Sequence, residues 1–214
     1  MKKIKVILVD DHAVVRTGYK ILLKNVANIN VIAETDTGEA AIELSRKLKP
    51  DVVVMDITLP GINGIEAIRE ITTTNPDIKI LVFSMHEEVV FVERALQAGA
   101  IGYMTKSSDP QLLSSAIISV SKGNKVIDED LKRKLAYEHG VARESDSVLS
   151  DLSAREYQIF CLLAEGKNTT EISKILSLSY KTVANYSSQI KNKLNVSTVA
   201  DIARIAIRHN IIKA

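Results

Sequence analysis

The 214-residue sequence predicts an α/β domain with a parallel sheet, followed by a smaller all-α domain. Three observations support this prediction. The first 105 residues contain five short apolar runs rich in Val and Ile, with helical patterning between them. The last 62 residues carry successive helix-start signals instead. Between the two regions, residues 140–150 are small and polar, which is typical of a linker.

The five apolar runs have strand length and no polar alternation, a pattern typical of strands buried on both faces. They are Ile4–Val9, Val31–Ala33, Val52–Met55, Ile80–Phe83 and Ile101–Met104. Strands that alternate with helices predict a parallel sheet with right-handed crossovers. We therefore predict a doubly wound, flavodoxin-like, five-stranded parallel sheet with strand order 2-1-3-4-5, which the helix Gln111–Lys122 completes.

Helix-start signals organise the second domain. Two pairs have the spacing of a capping box, in which each side chain satisfies a free amide of the helix start. They are Ser153 with Glu156, and Asn168 with Glu171. Ser179 is the predicted cap of a third helix, and a fourth is predicted from Thr198 to His209. The predicted domains are residues 1–122, a linker 123–149 with a short helix over Asp128–Tyr137, and a four-helix domain 150–214.

Composition narrows the class of protein. Apolar residues make up 46% and charged residues 25% of the chain, as in ordinary globular proteins. No run approaches the roughly 20 apolar residues of a membrane span, and the basic N-terminus lacks the apolar stretch of a signal peptide, so we expect no membrane association. The single cysteine, Cys161, allows no intramolecular disulfide and favours a cytoplasmic protein.

Charge is distributed unevenly along the chain. Residues 1–122 carry a net charge of −1, residues 123–152 carry −2, and residues 153–214 carry +5. This asymmetry predicts that the C-terminal domain alone meets a polyanion. A solvated basic surface is the alternative interpretation.

Three acids follow two of the predicted strands. Asp10 and Asp11 come directly after the first strand, and Asp56 directly after the third. Because ligands bind at the carboxyl ends of neighbouring parallel strands, we expect these carboxylates to converge. Like charges at short range are unfavourable without a cation, and a hard divalent ion such as Mg²⁺ suits oxygen ligands. The alternative is that the acids only cap neighbouring helices.

Two further residues complete a candidate phosphate site at the same edge. Ser84 ends the fourth strand and Lys106 follows the fifth. An ammonium group and a hydroxyl can each bind a phosphoryl oxygen. With a carboxylate nucleophile and a metal ion, these are the groups needed to accept a phosphoryl group.

Residues 1–122 resemble the receiver domain of two-component response regulators along their whole length. The resemblance lies in Val9-Asp10-Asp11-His12, Met55-Asp56, Leu59-Pro60-Gly61 with Gly64, Ser84, and Gly102-Tyr103 with Lys106. It implies that Asp56 accepts a phosphoryl group from a sensor histidine kinase, and that Lys106 binds the phosphate. It also implies that Ser84 and Tyr103 form the switch pair. The implied Mg²⁺ ligands are Asp11, Asp56 and the backbone carbonyl of Thr58, assisted by Asp10. Such a domain is not an enzyme beyond its own phosphoryl transfer and dephosphorylation.

The third helix of the C-terminal domain has two distinct faces at 100° per residue. Val183, Ser187, Ile190 and Leu194 form the predicted core stripe, and Lys181, Asn185, Ser188 and Asn192 lie nearly opposite. After a short helix and a tight turn, this spacing matches a helix-turn-helix whose recognition helix enters the major groove. On pattern alone, a helical bundle with a solvated polar face is equally acceptable.

Residues 150–212 resemble the LuxR-type DNA-binding domain of NarL/FixJ-class response regulators. The resemblance lies in Leu152-Ser153-Ala154-Arg155-Glu156, Leu163-Ala164-Glu165-Gly166-Lys167, Glu171-Ile172, Lys181-Thr182-Val183, Lys193-Leu194 and Ala206-Ile207-Arg208-His209. It implies a regulator that binds double-stranded DNA and forms a homodimer when phosphorylated, partly through the last helix. The implied contacts are Asn185 and Ser188 to bases, and Lys181, Thr182, Tyr186 and Lys191 to phosphates.

Two other functions compete with this one. An aspartate-nucleophile phosphatase also places its Asp after a strand, but generally has a second acid two residues later, where this chain has Thr58. The second competing function is that of a receiver domain joined to a helical bundle that binds RNA or protein. Competition binding with duplex DNA and RNA across a salt series separates them.

Overall fold

The computed structural model describes residues 3–140, 149, 151–209 and 211–212, with the backbone alone for 138–140. The chain divides into two compact units, Met1–Gly140 and Val141–Ala214. Most of the predicted polar linker, residues 141–148 and 150, lies outside the described residues. Among the described helices, none combines the length and the apolar character needed to cross a membrane.

The first unit is a doubly wound α/β fold, as predicted. Its strands are β1 (Ile4–Val9), β2 (Ile29–Thr35), β3 (Val52–Met55), β4 (Lys79–Ser84), β5 (Gly102–Thr105) and β6 (Val126–Ile127). Its helices are α1 (Ala13–Lys24), α2 (Gly38–Leu48), α3 (Gly64–Thr74), α4 (Val89–Gln97), α5 (Leu112–Ser121) and α6 (Glu129–Gly140). All strand pairs are parallel, in the order β2-β1-β3-β4-β5-β6.

Both faces of the sheet are covered, which explains why the strand sequences show no polar alternation. Val6 and Ile7 point to opposite faces because successive side chains alternate along a strand, and neither is exposed. Helices α1 and α5 cover one face, where Leu23 and Ile117 join the core cluster of strand residues. Helices α2, α3 and α4 pack in succession against each other.

The sheet has one strand more than the five predicted. The two residues of β6 pair with Gly102 and Tyr103 at the edge of β5. A Cβ at position 102 would lie 2.6 Å from Leu81 Cδ1 and 2.9 Å from Val120 Cγ2, so glycine leaves room for these two side chains beside the edge of β5. An apolar run of two residues is too short to predict a strand from the sequence.

Residues 154–208 of the second unit contain four helices, as predicted for this domain. They are α7 (Ala154–Ala164), α8 (Thr169–Ile175), α9 (Tyr180–Lys193) and α10 (Val199–Arg208). Helix α7 packs on α9 and α10, and α8 packs on α9. Leu163, Ile172, Val183, Ile190 and Ile202 are all buried within this unit.

The predicted helix starts are confirmed. Ser153 with Glu156 and Asn168 with Glu171 both form reciprocal capping boxes. Ser179 caps α9 by accepting a hydrogen bond from the Thr182 amide. Between α8 and α9 the chain turns through Ser177, which has a positive φ of 51°. The compact turn separates two helices as in a helix-turn-helix.

Candidate functional sites

The three predicted acids meet at the carboxyl edge of the sheet. β1 and β3 are neighbours, and the Asp56 amide donates to the Val9 carbonyl oxygen at 2.9 Å, which fixes the two strand ends together. Asp10 and Asp56 are both buried, while Asp11 is half-buried. One ligand atom from each of the three acids and from His12 lies within 4.8 Å of the others.

Gly64 holds the loop after β3 close to the sheet. Its amide donates to the Ile57 carbonyl oxygen at 2.9 Å, and α3 begins at this residue. A Cβ at position 64 would lie 1.9 Å from the Asp56 carbonyl oxygen, well inside van der Waals contact. Glycine is therefore the residue that lets α3 start directly against the backbone of Asp56.

Lys106 lies at the centre of the acid cluster, as the strand-end argument predicted. Its Nζ is 2.6 Å from Asp56 Oδ2 and 2.7 Å from Asp10 Oδ2, and its side chain is only 6% exposed. The Lys106 amide donates to the Ser84 carbonyl oxygen at 2.8 Å, which aligns the end of β5 with the end of β4. One ammonium group thus bridges two buried carboxylates.

The electrostatics of the cluster reflect burial and these contacts. Burial raises the pKa of Asp56, although the Lys106 charge and its hydrogen bond act in the opposite direction. Burial disfavours the charged form of Lys106, but the Asp56 charge and the hydrogen bond to Asp10 outweigh it, so the Lys106 pKa is raised. The ammonium therefore stays protonated across the physiological pH range.

Three carboxylates share one ammonium, so negative charge is in excess. Asp11 Oδ1 is buried and accepts no hydrogen bond from the described residues, although His12 Nδ1 lies 2.7 Å away. The His12 side chain is 66% exposed and lies beside the cluster. A set of carboxylate oxygens with an excess of negative charge fits a hard divalent cation.

Ser84 and Tyr103 lie near the cluster at the ends of β4 and β5. Ser84 is fully buried, and its hydroxyl oxygen accepts a hydrogen bond from the His86 amide at 3.4 Å, while its proximity to the Asp56 carboxylate acts to lower the Asp56 pKa. Tyr103 is also fully buried, and its hydroxyl donates to the His86 carbonyl oxygen at 2.9 Å. Burial raises the pKa of the Tyr103 hydroxyl well above its usual value, so it remains protonated. The ring therefore faces inward, beneath the β4–α4 loop.

Thr58 lies two residues after Asp56 and contacts a residue that the sequence did not indicate. Its amide approaches Asp56 Oδ1 at 3.3 Å, and its hydroxyl is 3.0 Å from His86 Nε2. The His86 ring stacks on Phe91, with 4.0 Å between ring centroids. His86 connects the loop after β3 to the loop after β4, but nothing in its sequence neighbourhood predicts this contact.

Helix α9 presents the predicted polar face. Val183 and Ile190 are buried, whereas Lys181, Asn185 and Ser188 on the opposite side are exposed. The remaining predicted contact residues, Thr182, Tyr186 and Lys191, are half-buried at the margins of that face. The structure therefore separates a core stripe from a polar stripe as predicted.

Two side chains on the polar face are held by local hydrogen bonds. The Ser188 hydroxyl donates to the Ala184 carbonyl oxygen at 3.1 Å, which leaves its oxygen lone pairs as acceptors. The Thr182 hydroxyl is 2.7 Å from the Ser179 hydroxyl at the helix start. Both side chains are thereby ordered on the helix surface.

The C-terminal end of α9 is anchored to α7. Lys193 Nζ donates to Glu156 Oε2 at 2.7 Å and to the Asp151 carbonyl oxygen at 3.1 Å. Burial opposes ionisation of Glu156, but its hydrogen bonds to Lys193 and Ser153 outweigh this, so the Glu156 pKa is lowered. These contacts fix the orientation of α9 within its own unit.

Both units match known families. Residues 6–118 match the response regulator receiver domain, and residues 150–206 match the bacterial regulatory proteins of the luxR family. The chain belongs to the two-component response regulators, with a receiver domain and a LuxR-type helix-turn-helix DNA-binding domain of transcription regulators.

Within this class the chain belongs to the NarL/FixJ group. It is 40% identical to the response regulator GacA of Pseudomonas aeruginosa over 211 residues, which cover 99% of each chain. It is 38% identical to the response regulator UvrY of Escherichia coli K12, covering 99% of this chain and 97% of that one. A solved complex of the response regulator RcsB with DNA has a TM-score of 0.60 and 28% identity, covering 95% of this chain and 98% of that one.

Proposed function

We propose that Asp56 is the phosphoryl acceptor of this response regulator and that a sensor histidine kinase is the donor. The observation that carries the proposal is the position of Asp56, buried at the carboxyl edge of the sheet with its Oδ2 2.6 Å from Lys106 Nζ. In the transfer, an Asp56 carboxylate oxygen forms the new O–P bond as the P–N bond of a phosphohistidine breaks and the freed imidazole takes up a proton. The chain catalyses this transfer and the later dephosphorylation of its own carboxylate, and no other reaction.

Magnesium fits the donor set at this site. Asp11, Asp56 and the Thr58 backbone carbonyl would hold the ion, and Asp10 would assist. When bound, the ion offsets the excess negative charge and polarises the phosphoryl oxygens. Two features of the cluster support magnesium binding. It offers oxygen donors, and one buried Asp11 oxygen accepts no hydrogen bond from the described residues.

Lys106 and Ser84 bind the transferred group. The Lys106 ammonium, which already contacts Asp56 and Asp10, pairs with a phosphoryl oxygen as negative charge moves onto Asp56. The Ser84 hydroxyl turns to a second phosphoryl oxygen, and Tyr103 keeps its ring inward behind it. The Tyr103 hydroxyl donates to the His86 carbonyl oxygen and so links the switch pair to the β4–α4 loop. The loop therefore responds when the Ser84 hydroxyl turns.

The C-terminal domain binds double-stranded DNA. Asn185 and Ser188 contact bases from the exposed face of α9, and the phosphate contacts come from Lys181, Thr182, Tyr186 and Lys191. The exposure of the polar stripe and the +5 charge of residues 153–214 support this assignment. The solved RcsB–DNA complex is a related protein with DNA bound.

Phosphorylation promotes a homodimer that binds paired half-sites, partly through α10. Val199 and Ile207 on α10 are exposed apolar residues, which supports a contact on that helix. In this proposal the receiver comprises residues 1–122, the linker 123–149 and the DNA-binding domain 150–214. The protein acts in the cytoplasm. A related structure contains two RcsB dimers on two parallel DNAs.

DNA affinity tests the proposal. Wild type and Asp56→Ala are each titrated with duplex DNA, with and without acetyl phosphate and Mg²⁺. Wild type should gain affinity on treatment and Asp56→Ala should not, and binding should weaken steeply with salt. Equal affinity in all four conditions, or preference for a matched RNA duplex, would contradict it.

A further inference from the structure

Asp128, the residue that joins β6 to α6, lies beside the β5–α5 loop that carries Lys106. Its carboxylate oxygen Oδ2 accepts a hydrogen bond from the Thr105 amide at 2.6 Å and another from the Ser108 hydroxyl at 2.8 Å. The two donors flank Lys106 in the sequence. A single carboxylate thus binds the chain on both sides of the lysine.

This carboxylate continues the sheet where the backbone of β6 ends. The last pair of β6 is Ile127 with Tyr103, so the next amide of β5 on the β6 side, that of Thr105, donates to Asp128 Oδ2 instead of to a backbone carbonyl oxygen. Thr105 is buried, which makes an unsatisfied amide there costly. A charged acceptor also forms a stronger hydrogen bond than a neutral one.

The Lys106 loop is therefore held from two sides. On the β4 side the Lys106 amide donates to the Ser84 carbonyl oxygen at 2.8 Å. On the β6 side Asp128 binds Thr105 and Ser108, and the Thr105 hydroxyl is also 2.8 Å from the Ser108 hydroxyl. Since Lys106 must reach two buried carboxylates, a shift of its backbone would move the ammonium out of the cluster.

A second contact ties the same loop to α6. The Ser107 hydroxyl donates to Glu87 Oε1 at 2.9 Å, and Lys134 of α6 donates to Glu87 Oε2 at 3.0 Å. The hydrogen bonds from Lys134 and Ser107 lower the pKa of Glu87. The β4–α4 loop, the Lys106 loop and α6 are connected through these side chains.

We propose that Asp128 is a positioning residue for Lys106. Its carboxylate fixes the β5–α5 loop so that the Lys106 ammonium reaches a phosphoryl group on Asp56. The inference rests on the proposed function of Lys106 and Asp56 and extends it to the edge strand of the sheet and the residue that follows it. It gives β6 and the start of α6 a role in the phosphorylation site.

Beryllofluoride, which imitates a phosphoryl group on a carboxylate, provides the test. The full-length chain is titrated with beryllofluoride in the presence of Mg²⁺, and bound fluoride is measured by ¹⁹F NMR. Asp128→Ala should weaken binding about tenfold, in line with the loss of hydrogen bonds to a charged acceptor. Asp128→Asn retains an acceptor oxygen and should lose less.

A double-variant cycle separates positioning from a general loss of structure. Lys106→Ala should weaken binding on its own, and Asp128→Ala should add no further loss when Lys106 is already absent. Ser108→Ala removes one donor without disturbing β6 and should give a smaller loss that also disappears in the Lys106→Ala background. Asp130→Ala is the matched control, because this exposed acid two residues later pairs with Arg133.

The possible outcomes are distinct. If wild type binds beryllofluoride and Lys106→Ala weakens it, but Asp128→Ala and Ser108→Ala bind like wild type, the positioning role is wrong while the proposed function stands. Losses that multiply in the double variants would also overturn it. If wild type binds no beryllofluoride, the proposed function itself fails.

Discussion

Replacing Lys106 by alanine should destabilise the receiver unit in the absence of a divalent ion. The substitution removes the ammonium that lies 2.6 Å and 2.7 Å from two carboxylates, whose side chains are 4% and 9% exposed. Removing one partner of a buried ion pair costs several kcal/mol because the other charge stays buried without compensation. We expect a loss of about 3 kcal/mol here, at the lower end of that range, because Asp11 keeps the edge of the cluster in contact with water.

That loss corresponds to a decrease of about 10 °C in the melting temperature for a unit of this size. Differential scanning calorimetry of the full chain measures it, with the transition of the first unit compared between variants. Adding Mg²⁺ should recover part of the loss, because the ion replaces the missing positive charge. Lowering the pH should recover part as well, since Lys106 lowers the Asp56 pKa and its removal lets Asp56 protonate more readily.

Two controls accompany this measurement. Lys132→Ala removes a half-exposed lysine that pairs with Glu129 on α6, and should change stability by less than about 0.5 kcal/mol. Lys106→Ala combined with Asp56→Asn removes one of the uncompensated charges and should be more stable than Lys106→Ala alone. Equal melting temperatures for wild type and Lys106→Ala, with no Mg²⁺ dependence, would refute the electrostatic reasoning.

Further predictions concern the scaffold and the DNA-binding helix. Gly64→Ala would place a Cβ 1.9 Å from a backbone carbonyl oxygen and should cost about 3 kcal/mol or more, measured by urea denaturation. Glu156→Gln weakens the capping box and the contact to Lys193 and should cost about 1 kcal/mol. The Glu156 pKa is lowered in the folded chain, so this contribution to stability is complete above the usual glutamate pKa of about 4.3 and is lost as the pH falls below it. The difference in stability between variant and wild type should therefore shrink in acid. Equal differences at neutral and acid pH would contradict this prediction. Lys181→Ala should reduce the slope of log affinity against log salt by about 1 on every duplex, whereas Asn185→Ala should leave the slope unchanged and relax base preference by about 1–3 kcal/mol. The reverse pattern in a salt series would contradict the assigned contacts.

The acid cluster could be predicted because the parallel topology of the sheet determines which residues converge. Asp10, Asp56 and Lys106 each follow a strand, and the carboxyl ends of neighbouring strands meet at one edge whatever the details of the loops. The capping boxes of the helical domain could also be predicted from the sequence. Their side chains act over three residues, so the spacing of Ser153 and Glu156 contains the whole interaction.

The contacts around β6 could not be predicted in the same way. Asp128 bonds to Thr105 across 23 residues, and Lys134 bonds to Glu87 across 47. Such pairs depend on how α6 packs against α4, and they leave no periodic signal in the sequence. The two residues of β6 likewise form a strand because β5 offers a free edge next to Gly102.

Phosphoryl incorporation tests the central claim most directly. Wild type and Asp56→Asn are incubated with acetyl phosphate, with and without Mg²⁺, and the intact mass of each chain is measured over time. We predict that one phosphoryl group adds to wild type, that it adds much faster with Mg²⁺, and that Asp56→Asn stays unmodified. Modification of the Asp56→Asn chain at the wild-type rate, or incorporation that is indifferent to Mg²⁺, would contradict the assignment of Asp56 and its acid cluster.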